Sequence, residues 1–309
     1  MISGHRERSK LQSSFSKPHS GIHSLIRLAR PVHWVKNGFV LAPALFTIGT
    51  EGGREFASAG LAFLGFCFVA SSCYIVNDIN DVEYDRLHPG KDIRPLALGL
   101  VSIRHAILFA LFCVAAAILI SLFLPWRVGI LYAGYIVLGL LYTFKLKDLV
   151  LIDVMAIATG FMIRVFAGAA AINVTVSPWM ILTTFFLSLF LAFSKRRSEI
   201  VAAPVERQRK VLQDYSERFL NMMLAITLSL TIVTYSIYVI QPAVMERTRG
   251  DGLLYTVPVV VYALLRYLFV IVKTNRGGDV ADVVAGDAGL IASIFMWAIA
   301  VAILVATHP

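Results

Sequence analysis

Ala57–Val76 reads ASAGLAFLGFCFVASSCYIV, about twenty residues without a charge, and runs directly into Asn77-Asp78-Ile79-Asn80-Asp81-Val82-Glu83-Tyr84-Asp85. An uncharged stretch of roughly 17–25 residues matches the length a helix needs to cross a bilayer's hydrocarbon core. The acids next in sequence therefore stand where a helix leaves lipid. At about 100° per residue, Asp78, Asp81 and Asp85 fall within about 60° of one another, and Glu83 points elsewhere. Like charges at these spacings repel, the more so near lipid. A hard divalent cation turns that repulsion into attraction, and Mg²⁺ commonly binds through one or two carboxylates together with the oxygens of a substrate phosphate. The plain alternative, a solvated acidic helix end, fits poorly with the apolar helix before it. Lys91 and the turn Arg94-Pro95-Leu96 come soon after. Cations beside a metal site suit a ligand carrying more negative charge than the metal neutralises.

The rest of the chain repeats the apolar half of this pattern. Across 309 residues, 58% of side chains are hydrophobic and 15% charged, and mean hydropathy is +0.76, so the lipid bilayer is its main solvent. The expected architecture is an all-α membrane protein, a bundle of about nine transmembrane helices. A segment near Arg30 leads into the first, Val35–Ile48. The others are Ala57–Val76, Ile103–Leu124, Val128–Phe144, Leu149–Ala171, Pro178–Phe193, Phe219–Ile240, Tyr255–Val272 and Gly289–Ala306. Nine crossings sort the loops into two sets. Of the 28 Lys and Arg residues, only Arg54, Arg127, Arg247 and Arg249 fall in one set, while Arg164 and Arg266 lie within helices. All the rest fall in the set that contains the carboxylate stretch and the N-terminus, and the positive-inside rule places that set in the cytoplasm. The expectation is a multi-pass protein of the inner (plasma) membrane with a cytoplasmic N-terminus and an active face opening there.

A net charge of +9 does not imply nucleic acid, because the basic residues cap apolar segments and form no basic domain. Residues 1–20, rich in Ser, Lys and Arg, read as a disordered basic cytoplasmic tail before a membrane domain over 21–309. No short apolar run with a small-residue cleavage site follows the tail, which argues against a cleaved signal peptide. Cys67, Cys73 and Cys113 lie in apolar segments and read as small buried side chains. A homo-oligomer is compatible with the sequence.

At Asn77–Asp85 the chain resembles the UbiA-type intramembrane prenyltransferase superfamily, whose N-D-x-x-D-x-x-x-D motif it matches. Arg94-Pro95-Leu96-Ala97-Leu98-Gly99 resembles that family's R-P-L-x-x-G element. Typical members that join a prenyl diphosphate to an aromatic acceptor carry a second cluster, D-x-x-x-D, in the loop after the sixth helix. Here that loop reads Lys195-Arg196-Arg197-Ser198-Glu199. Three adjacent cations do not chelate Mg²⁺, but they can bind a phosphate directly.

The departure is similar to a branch of the superfamily that transfers phosphoribose from phosphoribosyl pyrophosphate to a decaprenyl-type polyprenyl phosphate. Further segments carry that likeness: Arg30-Pro31-Val32-His33-Trp34-Val35-Lys36-Asn37, Tyr142-Thr143-Phe144-Lys145-Leu146-Lys147, Gly160-Phe161-Met162-Ile163-Arg164, and Gly277-Gly278-Asp279 with Asp287. The resemblance implies Mg²⁺–diphosphate binding by Asp78, Asp81 and Asp85, with Asn77 in support. It places Tyr142 and Lys147 near the ribosyl donor. Lys36, Lys91, Arg94, Lys195, Arg196 and Arg197 become candidates for holding phosphates, and Arg164 and Asp287 candidate substrate contacts. The product of such a reaction would feed cell-envelope arabinan synthesis.

Other readings of these residues stand beside this one. Asp153 and Arg164 share a face of one apolar helix, either as structural charges paired with other helices or as lining of a substrate cavity. Lys145 and Lys147 also fit snorkelling at a helix end, and Arg27 and Arg30 read as ordinary surface anchors. An aromatic-acceptor prenyltransferase of the quinone or haem type shares the first aspartate cluster. A lipid transporter accounts for the helices but not for three carboxylates on one face, and no internal repeat supports it.

Overall fold

A computed structural model describes residues 21–46, 53–87, 92–202, 210–247, 250–274 and 280–306. The 1–20 tail, Lys91 and Gly277-Gly278-Asp279 lie outside these residues. Among the described residues, eight helices are long and apolar enough to cross a membrane. After a short helix α1 (Ile22–Ala29) comes a 3₁₀ segment, Pro31–Val40, and then α2 (Ala42–Leu45). The long helix α3 (Gly53–Asn80) continues almost without a break into α4 (Val82–Leu87). Next come α5 (Ile103–Ser121), α6 (Trp126–Phe144), a 3₁₀ turn at Leu146–Asp148, and α7 (Ile152–Ala171). The rest comprises α8 (Pro178–Ala202), α9 (Lys210–Gln213), α10 (Glu217–Val239), α11 (Pro242–Arg247), α12 (Val257–Thr274), α13 (Val280–Ala285) and α14 (Ala288–Ala306).

Familiar stop and start signals cut the chain into these pieces. Ser102 and Ser216 cap α5 and α10 by accepting from the backbone N–H groups of His105 and Phe219. Pro178 occupies the first position of α8, where its missing N–H costs nothing. The expected first crossing, Val35–Ile48, does not form one continuous helix. Arg30 adopts a left-handed conformation (φ 54°, ψ 61°), and Pro31 and Pro43 interrupt the segment after it. The loop expected at Lys195–Glu199 is instead the last part of α8. Its arginines are buried and paired, so the helix runs on past the point where apolar sequence ends.

α3 and α7 form the centre of the bundle, each with 61% of its apolar span buried, against 22% for α5, α6, α12 and α14. The peripheral helices turn Leu108, Leu111, Phe112, Ile130, Val137, Leu265 and Phe269 outward, the inverse of a water-soluble surface and the expectation for a lipid-facing ring. Small residues let the centre close up. Gly168 on α7 lies against the Val40 carbonyl, and a Cβ there would come within 1.8 Å of that oxygen. The leading 3₁₀ segment is thereby laid directly onto α7 and α3.

Candidate active site

Helical hydrogen bonding continues through the acidic stretch, from Asp81 N–H to the Asn77 carbonyl (2.9 Å) and from Asp85 N–H to the Asp81 carbonyl (2.8 Å). Asp78, Asp81 and Asp85 therefore share a face, and all three are buried, whereas Glu83 is exposed and pairs with Arg86. Arg30 donates to Asp78 Oδ1. Arg94 Nη1 reaches Asp78 Oδ1 at 3.0 Å and Asp85 Oδ2 at 2.5 Å, so one nitrogen bridges two acids. Asp81 receives Lys147 Nζ at 2.6 Å, Asn80 at 2.9 Å and Asn77 at 3.1 Å. Among the described residues, Asp85 Oδ1 is buried without a hydrogen-bond partner. Such an acceptor is rare in a folded protein and marks a place for a cation or a donor.

Local structure delivers the two arginines. In the turn after α4, Leu98 and Gly99 N–H groups bond to the carbonyls of Arg94 and Leu96, and Gly99 takes φ 72°, a conformation open to glycine at little cost. Leu96 packs into an apolar cluster with Leu28 and Ile75, which holds Arg94 over the acids. Arg30 reaches Asp78 through its left-handed turn. For a residue with a Cβ that turn costs about 1–2 kcal/mol. Arg30 is thus a member of the site and not the surface anchor its sequence position suggests.

A second polar cluster joins α6, α7 and α8. Arg196, 1% exposed, donates through Nε to Asp153 Oδ2 (2.5 Å), through Nη1 to Glu199 and through Nη2 to Tyr142 Oη (2.8 Å). Tyr215 donates to Asp153 Oδ1 at 2.7 Å and accepts from the Leu151 backbone N–H at 2.7 Å. Burial, and after it the hydrogen bond to Asp153, hold the Tyr215 phenol above its usual pKa, so it stays protonated and donates at neutral pH. Asp153 therefore pairs with Arg196 across helices and not with Arg164. Arg197 turns away to Asn221, the Ile271 carbonyl and Glu217.

The remaining candidates are spread out. Arg164 is 3% exposed and donates to Asn37 Oδ1 (2.9 Å), Tyr135 Oη (2.8 Å) and the Gly160 carbonyl (2.9 Å). Its guanidinium lies 4.7–5.2 Å from the ring centres of Phe66, Tyr135 and Phe161. Lys36 is half-buried beside His33 (3.5 Å), and Lys195 is half-buried on α8. Asp287 belongs to Arg266 (2.8 Å) and to the start of α14, where it accepts from Leu290 N–H (3.0 Å). Among the described residues it makes no contact with the acidic cluster. Sequence reasoning missed Asn80 and Tyr215; Asn80 sits inside the Asn77–Asp85 motif, whereas no local signal marks Tyr215.

Among the described residues no three carboxylates, imidazoles or thiolates converge into a ready-made metal cage. The donors fit a cation shared with a ligand instead: two acids meet at one nitrogen, one of their oxygens has no partner, and three cations stand within the same shell. Mg²⁺ is bound in this way, through few carboxylates and several phosphate oxygens.

The UbiA prenyltransferase family model matches residues 39–299. A protein of Mycolicibacterium smegmatis named decaprenyl-phosphate phosphoribosyltransferase is 34% identical over 253 residues, 79% of this chain and 77% of its own length. A protein of the same name from Corynebacterium glutamicum is 32% identical over 294 residues, 92% and 87% of the two chains. The solved structure of a UbiA homolog from Archaeoglobus fulgidus bound to GPP and Mg²⁺ superposes with a TM-score of 0.70 at 19% identity, covering 90% of this chain and 99% of that one. Eight apolar helices, the aspartate-bearing helix end and these matches agree: the chain belongs to the UbiA prenyltransferase family and is a multi-pass membrane transferase.

Proposed function

We propose that this protein transfers 5-phosphoribose from phosphoribosyl pyrophosphate to a polyprenyl phosphate of decaprenyl type, releasing diphosphate. The observation that carries the reading is the compression of Asp78, Asp81, Asp85, Arg30, Arg94 and Lys147 into one buried shell with an acid oxygen left unpaired. A diphosphate with a divalent cation suits that mixture of charges. The named relatives support the phosphoribosyl donor. So does Lys195–Glu199, which offers no second acidic cluster for another metal.

In the reaction an oxygen of the polyprenyl phosphate attacks the anomeric carbon as the bond from that carbon to the diphosphate breaks. The diphosphate leaves with the bonding electron pair. The attacking phosphate is already ionised at neutral pH, so it needs positioning more than a general base. Asp78 and Asp85 would hold Mg²⁺, which when bound with the donor supplies charge neutralisation at the leaving oxygens. Arg30, Arg94 and Lys147 add fixed positive charge where negative charge grows, and Asn77 and Asn80 hold Asp81 for Lys147. Tyr142 lies on the donor side. Lys36 and Lys195, both half-buried, are candidates to hold a second phosphate. The water-soluble donor enters from the cytoplasm of a plasma-membrane protein, and the polyprenyl chain runs along the bundle.

The test supplies purified full-length protein with Mg²⁺, labelled phosphoribosyl pyrophosphate and a polyprenyl phosphate, and follows label into the organic phase. Transfer is the expected result. No transfer, together with prenylation of an aromatic acid by a prenyl diphosphate, overturns the proposal in favour of the other branch of the family.

A further inference from the structure

The last turn of α6, the elbow after it and the first turn of α7, residues 142–153, serve both polar clusters at once. Lys147 goes to Asp81, Tyr142 accepts from Arg196, and Asp153 accepts from Arg196 and Tyr215. The elbow is not relaxed. Leu151 sits at φ 65°, ψ −35°, a sparsely populated conformation for a residue with a Cβ, which persists only where surroundings enforce it. Tyr215 bonds to both ends of this kink: its hydroxyl accepts the Leu151 N–H and donates to Asp153 two residues on. A phenol has one donor and two lone pairs, so a single oxygen ties the strained residue to the head of α7.

The ring of Tyr215 is fixed independently of its hydroxyl. It is 5% exposed, packs in a core with Val211, Leu212 and Leu220, and lies 6.1 Å from the Phe219 ring. Its hydroxyl oxygen makes the hydrogen bonds to the elbow. Tyr215 approaches from the segment joining α8 to α10, 64 positions from Leu151 in sequence, so no local preference for the turn accounts for the contact.

We propose that Tyr215 is a positioning residue for the donor: it clamps the α6–α7 elbow so that Lys147 and Tyr142 are presented together to the phosphoribosyl group. The identity of the donor rests on the proposed phosphoribosyl transfer; the clamp rests on the elbow. Tyr215 touches no substrate and acts through the two residues it aligns, and the acceptor's binding does not pass through it.

Tyr215→Phe removes the hydroxyl and keeps the ring. The expected result is a rise of about ten-fold in KM for phosphoribosyl pyrophosphate, with KM for polyprenyl phosphate within two-fold of wild type. Tyr235→Phe is the control. Tyr235 is an equally buried tyrosine whose hydroxyl meets Thr256 and Trp297 at the far end of the bundle, and its loss should leave the donor KM alone. A Tyr215→Phe donor KM within two-fold of wild type overturns the clamp, as do equal shifts in both KM values or the same shift in the control. Hydrogen exchange on the wild type adds a measurement that needs no variant. Donor binding should raise protection across residues 145–152 as well as 78–85, and protection confined to 78–85 also overturns the clamp. Wild-type label transfer is measured first, so that its failure sinks the functional reading separately.

Discussion

Lys147 and Asp81, 66 positions apart in sequence, meet at 2.6 Å with both side chains less than a tenth exposed. Breaking a buried ion pair from one side costs about 3–5 kcal/mol, because it strands a charge, whereas replacing both partners with neutral groups is often nearly harmless. Lys147→Ala is therefore expected to lower the thermal midpoint clearly. Asp81→Asn combined with Lys147→Met should recover most of that loss. Neither should transfer phosphoribose at more than about one hundredth of the wild-type rate, the scale of a lost electrostatic contact in an active site. A double variant that regains activity along with its midpoint would show the pair to be structural only.

Asp85 makes the sharpest claim about metal. Its Oδ2 is taken by Arg94 while its Oδ1 is buried and without a partner among the described residues, so that oxygen is the natural contribution to a cation held with diphosphate. Asp85→Asn keeps size and can still accept from Arg94, but it removes the charge. The Mg²⁺ concentration for half-maximal transfer should rise at least ten-fold at saturating donor, with a fold unchanged by circular dichroism. An unchanged Mg²⁺ titration would remove Asp85 from the metal's shell.

How much of this was legible in advance depends on whether the partners are local. The common face of Asp78, Asp81 and Asp85 comes from helical periodicity alone, and Arg94 stands close enough along the chain to be suspected. Arg30 is different: its reach to Asp78 depends on a left-handed turn and on α1 lying against α3, neither of which is written in its neighbours. Asp153 and Arg164 do share a helix face, but eleven residues at about 1.5 Å each separate them by about 16 Å, so they do not pair with each other. Hydropathy marked the crossings well, yet it could not see that Arg30, Pro31 and Pro43 break the first. It also ended the sixth crossing at Phe193, because the ion pairs that allow α8 to continue are tertiary.

Acid should act where α12 meets the start of α14. Arg266 beside Asp287, and after it the Leu290 N–H, holds that carboxyl below its ordinary value of 3.8. A depressed folded-state pKa contributes stability that is fully present above the unfolded value and is lost as pH falls through the folded one. Wild type should therefore lose this contribution only below about pH 4. Asp287→Asn, which cannot ionise, should be less stable at neutral pH and show a smaller decline in thermal midpoint between pH 5 and pH 3. Parallel acid profiles for the two proteins would mean that the Arg266 contact carries no net stability.

Arg164 offers the clearest separation of packing from chemistry. It is a buried cation with no carboxylate partner among the described residues, held by Asn37, Tyr135 and a backbone carbonyl and enclosed by three aromatic rings. It lies about 16 Å from Asp153 along α7, and among the described residues its hydrogen bonds go to Asn37, Tyr135 and Gly160 and not to the acidic cluster. Its hydrogen bond to Asn37 instead fastens the leading 3₁₀ segment to the centre of the bundle. Arg164→Met fills similar volume but leaves the Asn37 and Tyr135 oxygens unpaired, and each buried unsatisfied group costs about 1–3 kcal/mol. Arg164→Lys keeps the charge but loses the planar fork and the ring stacking, so it should not rescue the fold. Both variants are expected to melt several degrees lower, with KM for donor and for acceptor within two-fold of wild type. A rise in the acceptor KM alone, at unchanged thermal midpoint, would instead assign this guanidinium to the polyprenyl phosphate.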